Sequence, residues 1–258
     1  MNIHLLLISI LEGLTEFLPI SSTAHLIIFS KFTQVDLTDM YIKFYLLFIQ
    51  LGALLAGASL FAKKIFTDKK LFTNIIVSFI PSAVVGFIFY KMFKHLLEGN
   101  ILLMAIMLIL GGIIFIYIEK VFLKKVDIVQ KQKDTLTTKD AFIVGLAQAV
   151  AIIPGVSRSG ATIIAGVFRN IKKSVIIEYT FILALPTLGA AVLYDAYKSR
   201  EIFSMLYNYN EMIVGFVLAF ISGYITLFVL RKYLTRISLS FFGWYRIVLA
   251  IVILLTLY

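Results

Sequence analysis

Cysteine is absent from the 258 residues, tryptophan occurs once, proline four times, and only 15% of the side chains are charged. The missing thiols exclude a thiolate metal site, a cysteine nucleophile and a disulfide-stapled secreted scaffold, and they leave the redox compartment open. Soluble domains carry about 25% charged and about 45–50% apolar residues. Here 61% are hydrophobic and 14% aromatic, with a mean hydropathy of +0.99. One soluble core cannot take that much apolar surface, so the chain reads as an integral membrane protein, and disorder or a repeat solenoid is excluded. Basic residues are missing from the apolar start, where the first is Lys31, and Glu12 and Glu16 lie within it. It reads neither as a cleavable signal peptide nor as a simple lipid-facing span.

Six apolar stretches long enough to cross about 30 Å of hydrocarbon fall at roughly 41–61, 73–93, 101–119, 175–197, 211–231 and 240–258. Two further apolar regions, 3–33 and 140–169, are broken near the middle, by Leu18-Pro19-Ile20-Ser21-Ser22 and by Pro154-Gly155-Val156-Ser157-Arg158-Ser159-Gly160. Non-helical backbone at membrane depth survives only inside protein or beside a watery cavity, so both read as re-entrant helical hairpins. A hairpin returns to the face it left, and three spans do not. The order predicts an all-α, polytopic membrane protein with an inverted-topology repeat: repeat one 1–120, a polar cytoplasmic linker 121–139, and repeat two 140–258. The two hairpins then meet tip to tip within one membrane domain. An offset of 136 aligns Glu12 with Gln148, Ser21 with Ser157 and Ser22 with Arg158, whereas Pro19 and Pro154 miss by one.

The placement of Lys and Arg orients the spans. One side collects sixteen, at 63–70, 120–139, 169–173 and 231–236; the other collects Lys31, Lys43, Lys91, Lys94, Lys198 and Arg200. The first side is expected to be cytoplasmic. The net charge of +10 is thereby a topology signal, and nucleic acid is not an expected partner. Small residues at helical spacing, Ala53 with Gly57 and Gly215 with Ala219 and Gly223, permit close packing within one chain or between two copies in a homodimer.

Ionisable groups inside a membrane are functional by default, and they cluster at the two breaks. Glu12 and Glu16 share one helix face, where two like charges persist only with a proton, a cation or an Arg between them. Ser21, Ser22 and Thr23 follow at the break, and His25 lies one turn later. The second break offers Ser157, Arg158, Ser159, Gly160 and Thr162 at a helix start, a setting suited to an anion. Gln148 puts a neutral polar group at the place matching Glu12. A hydroxyl capping a helix, or a structural Glu–Arg pair joining the tips, is the plainer alternative. Glu178 and Arg246 read as residues near span ends, explained by snorkelling or packing.

The run Glu12-Gly13-Leu14-Thr15-Glu16-Phe17-Leu18-Pro19-Ile20-Ser21-Ser22-Thr23, with His25-Leu26, and the run 154–162 resemble the two signatures of the undecaprenyl-diphosphatases, the bacitracin-resistance proteins of bacteria. The resemblance covers the whole chain, including Tyr245-Arg246-Ile247-Val248-Leu249. Ala24 departs from it, since the family usually has glycine there. The other lipid-phosphatase class follows its Ser-Arg with a His six residues on, and here that position is Ile164.

The resemblance implies hydrolysis of undecaprenyl diphosphate to the monophosphate and inorganic phosphate, in the bacterial cytoplasmic membrane with the site opening outward, usually with a divalent cation. The matched residues are Glu12, Glu16, Ser22, His25, Ser157, Arg158, Ser159 and Thr162. On this reading Arg158 and the second-tip hydroxyls hold phosphate. Mg²⁺ or Ca²⁺ bridges Glu12 or Glu16 to the diphosphate. The nucleophile is water activated by Glu16 or His25, or Ser22 activated by His25. A flippase or transporter of polyprenyl phosphate is the alternative with the same architecture.

Overall fold

The computed structural model describes residues 1–97, 100–123, 132–198, 208–233 and 236–257, without the side chains of 90–97. The side chains of Lys91 and Lys94, the residues Lys124, Lys125, Lys131 and Arg200, and linker positions 124–131 lie outside the described residues. Among the described residues ten α-helices follow in order: α1 Ile3–Thr15, α2 Ser22–Thr33, α3 Met40–Thr67, α4 Lys69–Leu97 and α5 Ile101–Tyr117, then α6 Thr138–Val150, α7 Arg158–Phe168, α8 Lys173–Lys198, α9 Tyr209–Tyr233 and α10 Leu239–Leu257. A π-helical turn, Ile118–Phe122, extends α5. Six of these are long and apolar enough to span a membrane, α3, α4, α5, α8, α9 and α10. They coincide with the six expected stretches. Helix α3 overruns its expected end at 61 because nothing breaks it before Asp68.

The short helices form two pairs, α1 with α2 and α6 with α7, and each pair breaks where the sequence does. Ser21 (φ 71°) and Ser157 (φ 67°) occupy positive φ immediately before α2 and α7. Backbone of that kind is costly for a residue with a Cβ and persists only where surroundings over-determine it. Gln34 (φ 55°) and Asn170 (φ 60°) end the same two helices. Among the described residues these four are the only non-glycine positions of positive φ, and they form two pairs at the offset of 136. Ala24 sits inside α2 in ordinary helical conformation, so the methyl that departs from the family pattern is accommodated.

Packing crosses between the halves. Helix α10 lies along α5, α3 along both α9 and α8, α1 along α9, and α4 along α6. The small residues serve these contacts: a methyl on Gly13 would strike Ser222 and the α9 backbone, and one on Gly52 would strike the Phe216 carbonyl. The stripes of small residues thus join α1, α3 and α9 within one chain. Large apolar side chains such as Phe87, Ile113, Phe228 and Val248 remain exposed on the outside, as a lipid-facing surface requires.

At the foot of α6, outside the six spans, Thr137 and Asp140 form a reciprocal capping box. Asp140 is fully buried and is also bonded by Lys133 and Arg169. Burial alone would push its carboxyl upward; hydrogen bonds from Thr137, Lys133 and Arg169 outweigh that and hold it well below its ordinary range. This latch fixes where the second pair of helices leaves the surface.

Candidate active site

The two breaks meet. Arg158, the first residue of α7, places its guanidinium 3.3 Å from Glu16 Oε1 and donates to the carbonyl of Thr180 at 3.1 Å. Ser159 Oγ donates across the junction to the Leu18 carbonyl at 2.9 Å. The ion pair is almost wholly removed from solvent, with the Arg158 and Glu16 side chains 10% and 6% exposed. A pair so enclosed interacts far more strongly than one at a surface.

Glu16 is shared. Its second oxygen, Oε2, accepts a 2.8 Å hydrogen bond from Ser22 Oγ. The carboxylate therefore stands between a hydroxyl of its own tip and a guanidinium of the other. Glu12, one helical turn earlier, adjoins Glu16. It is buried, and its Oε2 has no partner among the described residues. Arg158 Nε is likewise without a partner.

The helix starts differ at the two tips. Ser157 Oγ caps α7 by accepting from the Gly160 amide, whereas Ser21 makes no side-chain cap at α2. The first amides of α2 therefore remain open beside Ser22 and Thr23, in the arrangement that binds anions.

His25 is not bonded to Ser22. Its Nδ1 lies 2.7 Å from the Ser21 carbonyl and its Nε2 lies 2.6 Å from the Tyr245 hydroxyl. A carbonyl only accepts, so Nδ1 carries hydrogen, and in the neutral ring Nε2 accepts from Tyr245. The expected Ser22–His25 pairing is thus replaced by Ser22–Glu16, because the imidazole is drawn back onto the strained tip.

The other expected site residues are taken up by bonds within the protein. Thr162 is fully buried, bonded to the Arg158 and Ser159 carbonyls and to Thr180 Oγ1. Ser159 is spent on Leu18, and Ser157 faces Ser159 and Gly160. Gln148 sits apart from the tips and donates to Ser82 and Thr187.

Residues 5–252 match the family described as Bacitracin resistance protein BacA. The chain belongs to this family. It is 39% identical over 245 residues to the undecaprenyl-diphosphatase of Aquifex aeolicus, covering 95% of this chain and 94% of that protein. It is 40% identical over 250 residues to the one from Sulfurihydrogenibium sp., with 97% of each covered, and 38% identical over 252 residues to that of Campylobacter hominis, with 96% of each covered.

Two residues of this BacA-family site escape a reading of the sequence. Arg246 is no span-end residue: it is fully buried in α10, with no carboxylate beside it among the described residues. Its guanidinium donates to the Pro19 carbonyl of the first tip and to the Gly155 and Val156 carbonyls of the second, at 3.4, 2.8 and 3.1 Å. It also reaches Met107 and Leu108 on α5, and a methyl at Gly111 would overlap it. A cation whose hydrogen bonds among the described residues all go to backbone carbonyls, with the Phe115 ring beside it, is the signal that it braces both tips. Tyr245, its neighbour, holds His25. The sequence offered two hints, an arginine in an otherwise apolar segment, which the span-end reading absorbed, and the Tyr245-Arg246 pair within the family resemblance.

A divalent cation fits the acidic end of the site in kind. Glu12 and Glu16 supply hard oxygen donors one turn apart, and the orphaned Glu12 Oε2 lacks the partner that a buried charge requires. Among the described residues no cluster of three or more His, Asp or Glu adds to them.

Proposed function

We infer that this chain hydrolyses undecaprenyl diphosphate to undecaprenyl phosphate and inorganic phosphate, which recycles the lipid carrier for cell-wall synthesis and confers resistance to bacitracin. The observation that carries the reading is Glu16 held between the Ser22 hydroxyl and the Arg158 guanidinium. A nucleophile, its base and a cationic clamp for phosphate oxygens lie in one water-poor junction. Phosphoryl transfer needs little more than such positioning and charge neutralisation.

The steps balance as follows. Ser22 Oγ attacks the terminal phosphorus while its proton passes to Glu16 Oε2. The bond from that phosphorus to the bridging oxygen breaks, and undecaprenyl phosphate leaves. Glu16 gives up that proton to solvent; water then attacks the phosphoserine as its proton passes to the freed Glu16 carboxylate, which hands it to Ser22 Oγ as the Oγ–P bond breaks, and inorganic phosphate departs. Arg158 and the open amides of α2 hold the phosphate oxygens, and Thr23 adds a hydroxyl. His25 fixes the tip that carries Ser22. Glu12 and Glu16 are the residues to hold Mg²⁺ or Ca²⁺, which when bound neutralises diphosphate charge.

The reading extends to the architecture. The two short pairs are re-entrant hairpins of an inverted repeat in the bacterial cytoplasmic membrane, with the junction opening outward. The paired positive-φ residues and the matching contacts of α1 with α9 and α6 with α4 support it. Hydrolysis is favoured over a polyprenyl-phosphate flippase because a carrier has no use for a hydroxyl bonded to a carboxylate.

Purified protein in detergent, where no transmembrane gradient exists, decides between them. The wild type should release inorganic phosphate from a prenyl diphosphate, and Arg158→Ala should lower kcat/KM by about 10²-fold or more. No release by the wild type, or normal turnover by the variant, sinks the assignment.

A further inference from the structure

Beside Glu12 lies a cavity of about 90 Å³ between α2 and α3. Its polar wall is made by Glu12, Ser22 and Thr23, faced across the space by Gln50 of α3; its other wall is Leu26, Leu46 and Leu47. Gln50 is the eleventh residue of a 28-residue span, far from either end, where an amide is costly unless it is bonded. The protein supplies no hydrogen-bond partner for it among the described residues. The buried, unpartnered Glu12 Oε2 borders the same space. Two polar groups without partners thus face one small cavity, a pattern that calls for a polar ligand.

The cavity also has a way out to lipid. Helix α2 packs on α1 and α10 but not along α3, and the three leucines in that gap are partly exposed. A molecule with a phosphate head and a hydrocarbon tail matches a lining that joins Glu12, Ser22, Thr23 and Gln50 to three leucines.

We propose that Gln50 is a substrate-binding residue, donating its amide hydrogen to the lipid-linked phosphate, and that the α2–α3 gap lined by Leu26, Leu46 and Leu47 receives the first isoprene units. This rests on the hydrolase reading above and extends it to the route of the lipid. An amide suits the position better than a cation or a carboxylate would. It binds a phosphate oxygen without competing with Arg158 for Glu16 and without adding charge beside Glu12.

The test joins kinetics to a direct binding readout, with farnesyl diphosphate as the probe. Gln50→Leu should raise KM about tenfold, the loss of one charge-assisted hydrogen bond, and leave kcat within about threefold. Because the chain has no cysteine, a Leu47→Cys variant can carry a single benzophenone maleimide. That label should photocrosslink to radiolabelled farnesyl diphosphate, and unlabelled prenyl diphosphate should compete. The same label on an Ile113→Cys variant, on the exposed face of α5, should show no competed crosslink. An unchanged KM in Gln50→Leu, or equal crosslinking from both labels, overturns the proposal. Competed crosslinking through the Leu47→Cys label without phosphate release from the wild type leaves the pocket standing and removes the hydrolase reading instead.

Discussion

The two tips share a backbone and divide the chemistry. Each enters its second short helix through a serine at positive φ, Ser21 at 71° and Ser157 at 67°. At the second tip almost every polar group is used up inside the protein: Ser157 caps α7, Ser159 bonds Leu18, and Thr162 bonds Thr180. At the first tip the α2 start is uncapped and Glu12 has an oxygen to spare. One arm is therefore closed and rigid and exports a single guanidinium. The other is held by Tyr245 through His25 and, like the second, by Arg246, and keeps Glu12 Oε2 unpartnered. An internal duplication can differentiate in this way because backbone shape and polar saturation are set by different residues.

If the chemistry belongs to the first tip, the largest effect is Glu16→Gln. The amide keeps shape but cannot take a proton, and general-base loss should lower kcat by about 10³-fold, with farnesyl diphosphate binding changed little by comparison. At the second arm, Gln148→Leu, at the place matching Glu12, removes the amide that donates to Ser82 and Thr187, whose own hydroxyl bonds to backbone carbonyls remain. It should lower stability by about 1 kcal/mol per lost bond, read as faster thermal inactivation in detergent with turnover per folded molecule retained. Equal catalytic damage from both variants breaks the comparison.

Acid should find the second arm first. Asp140 is the buried anchor of α6, and its carboxyl is held below its ordinary value of 3.8. A carboxyl lowered by folding contributes stability that is complete above its unfolded value and lost as pH falls toward the lowered one. Asp140→Asn removes the negative charge and one of the two acceptor oxygens that Lys133 and Arg169 share, both of them partly exposed. The cost should therefore be about 2 kcal/mol at neutral pH, below that of a fully buried pair. Thermal inactivation from pH 7 down to pH 2 checks the sign: the gap between wild type and variant should hold constant above about pH 4 and shrink below it, and a gap that does not shrink there refutes the latch.

The sequence made the tips readable and their wiring opaque. Six spans follow from runs of apolar residues alone, and both breaks follow from Pro, Gly and hydroxyls where a span should continue. That a Glu pairs with Arg158 across the tips was legible only as the plainer alternative to phosphate and cation roles, since two intramembrane charges of opposite sign need each other. The partner of His25 was not legible, since a tyrosine 220 positions away gives no periodic signal. Arg246 was misplaced for a related reason. Its partners are backbone carbonyls, which every residue has, so no side chain in the sequence marks the match. Gln50 was overlooked because an amide does not interrupt an apolar run strongly enough to stand out.

The finest comparison lies in the two serines themselves. Ser21→Ala and Ser157→Ala impose the same change at nearly the same strained φ, so whatever an alanine costs there is common to both. Ser157 loses its hydrogen bond to the Gly160 amide and its contact with the Ser159 hydroxyl, whereas Ser21 makes no cap. The difference between the two variants therefore measures the cap together with that contact, and it should be about 1 kcal/mol, with Ser157→Ala the less stable. Rates of thermal inactivation in the same detergent measure it. An equal loss at both positions means that the first tip is capped after all, and with it goes the claim that the amides of α2 stand open for phosphate.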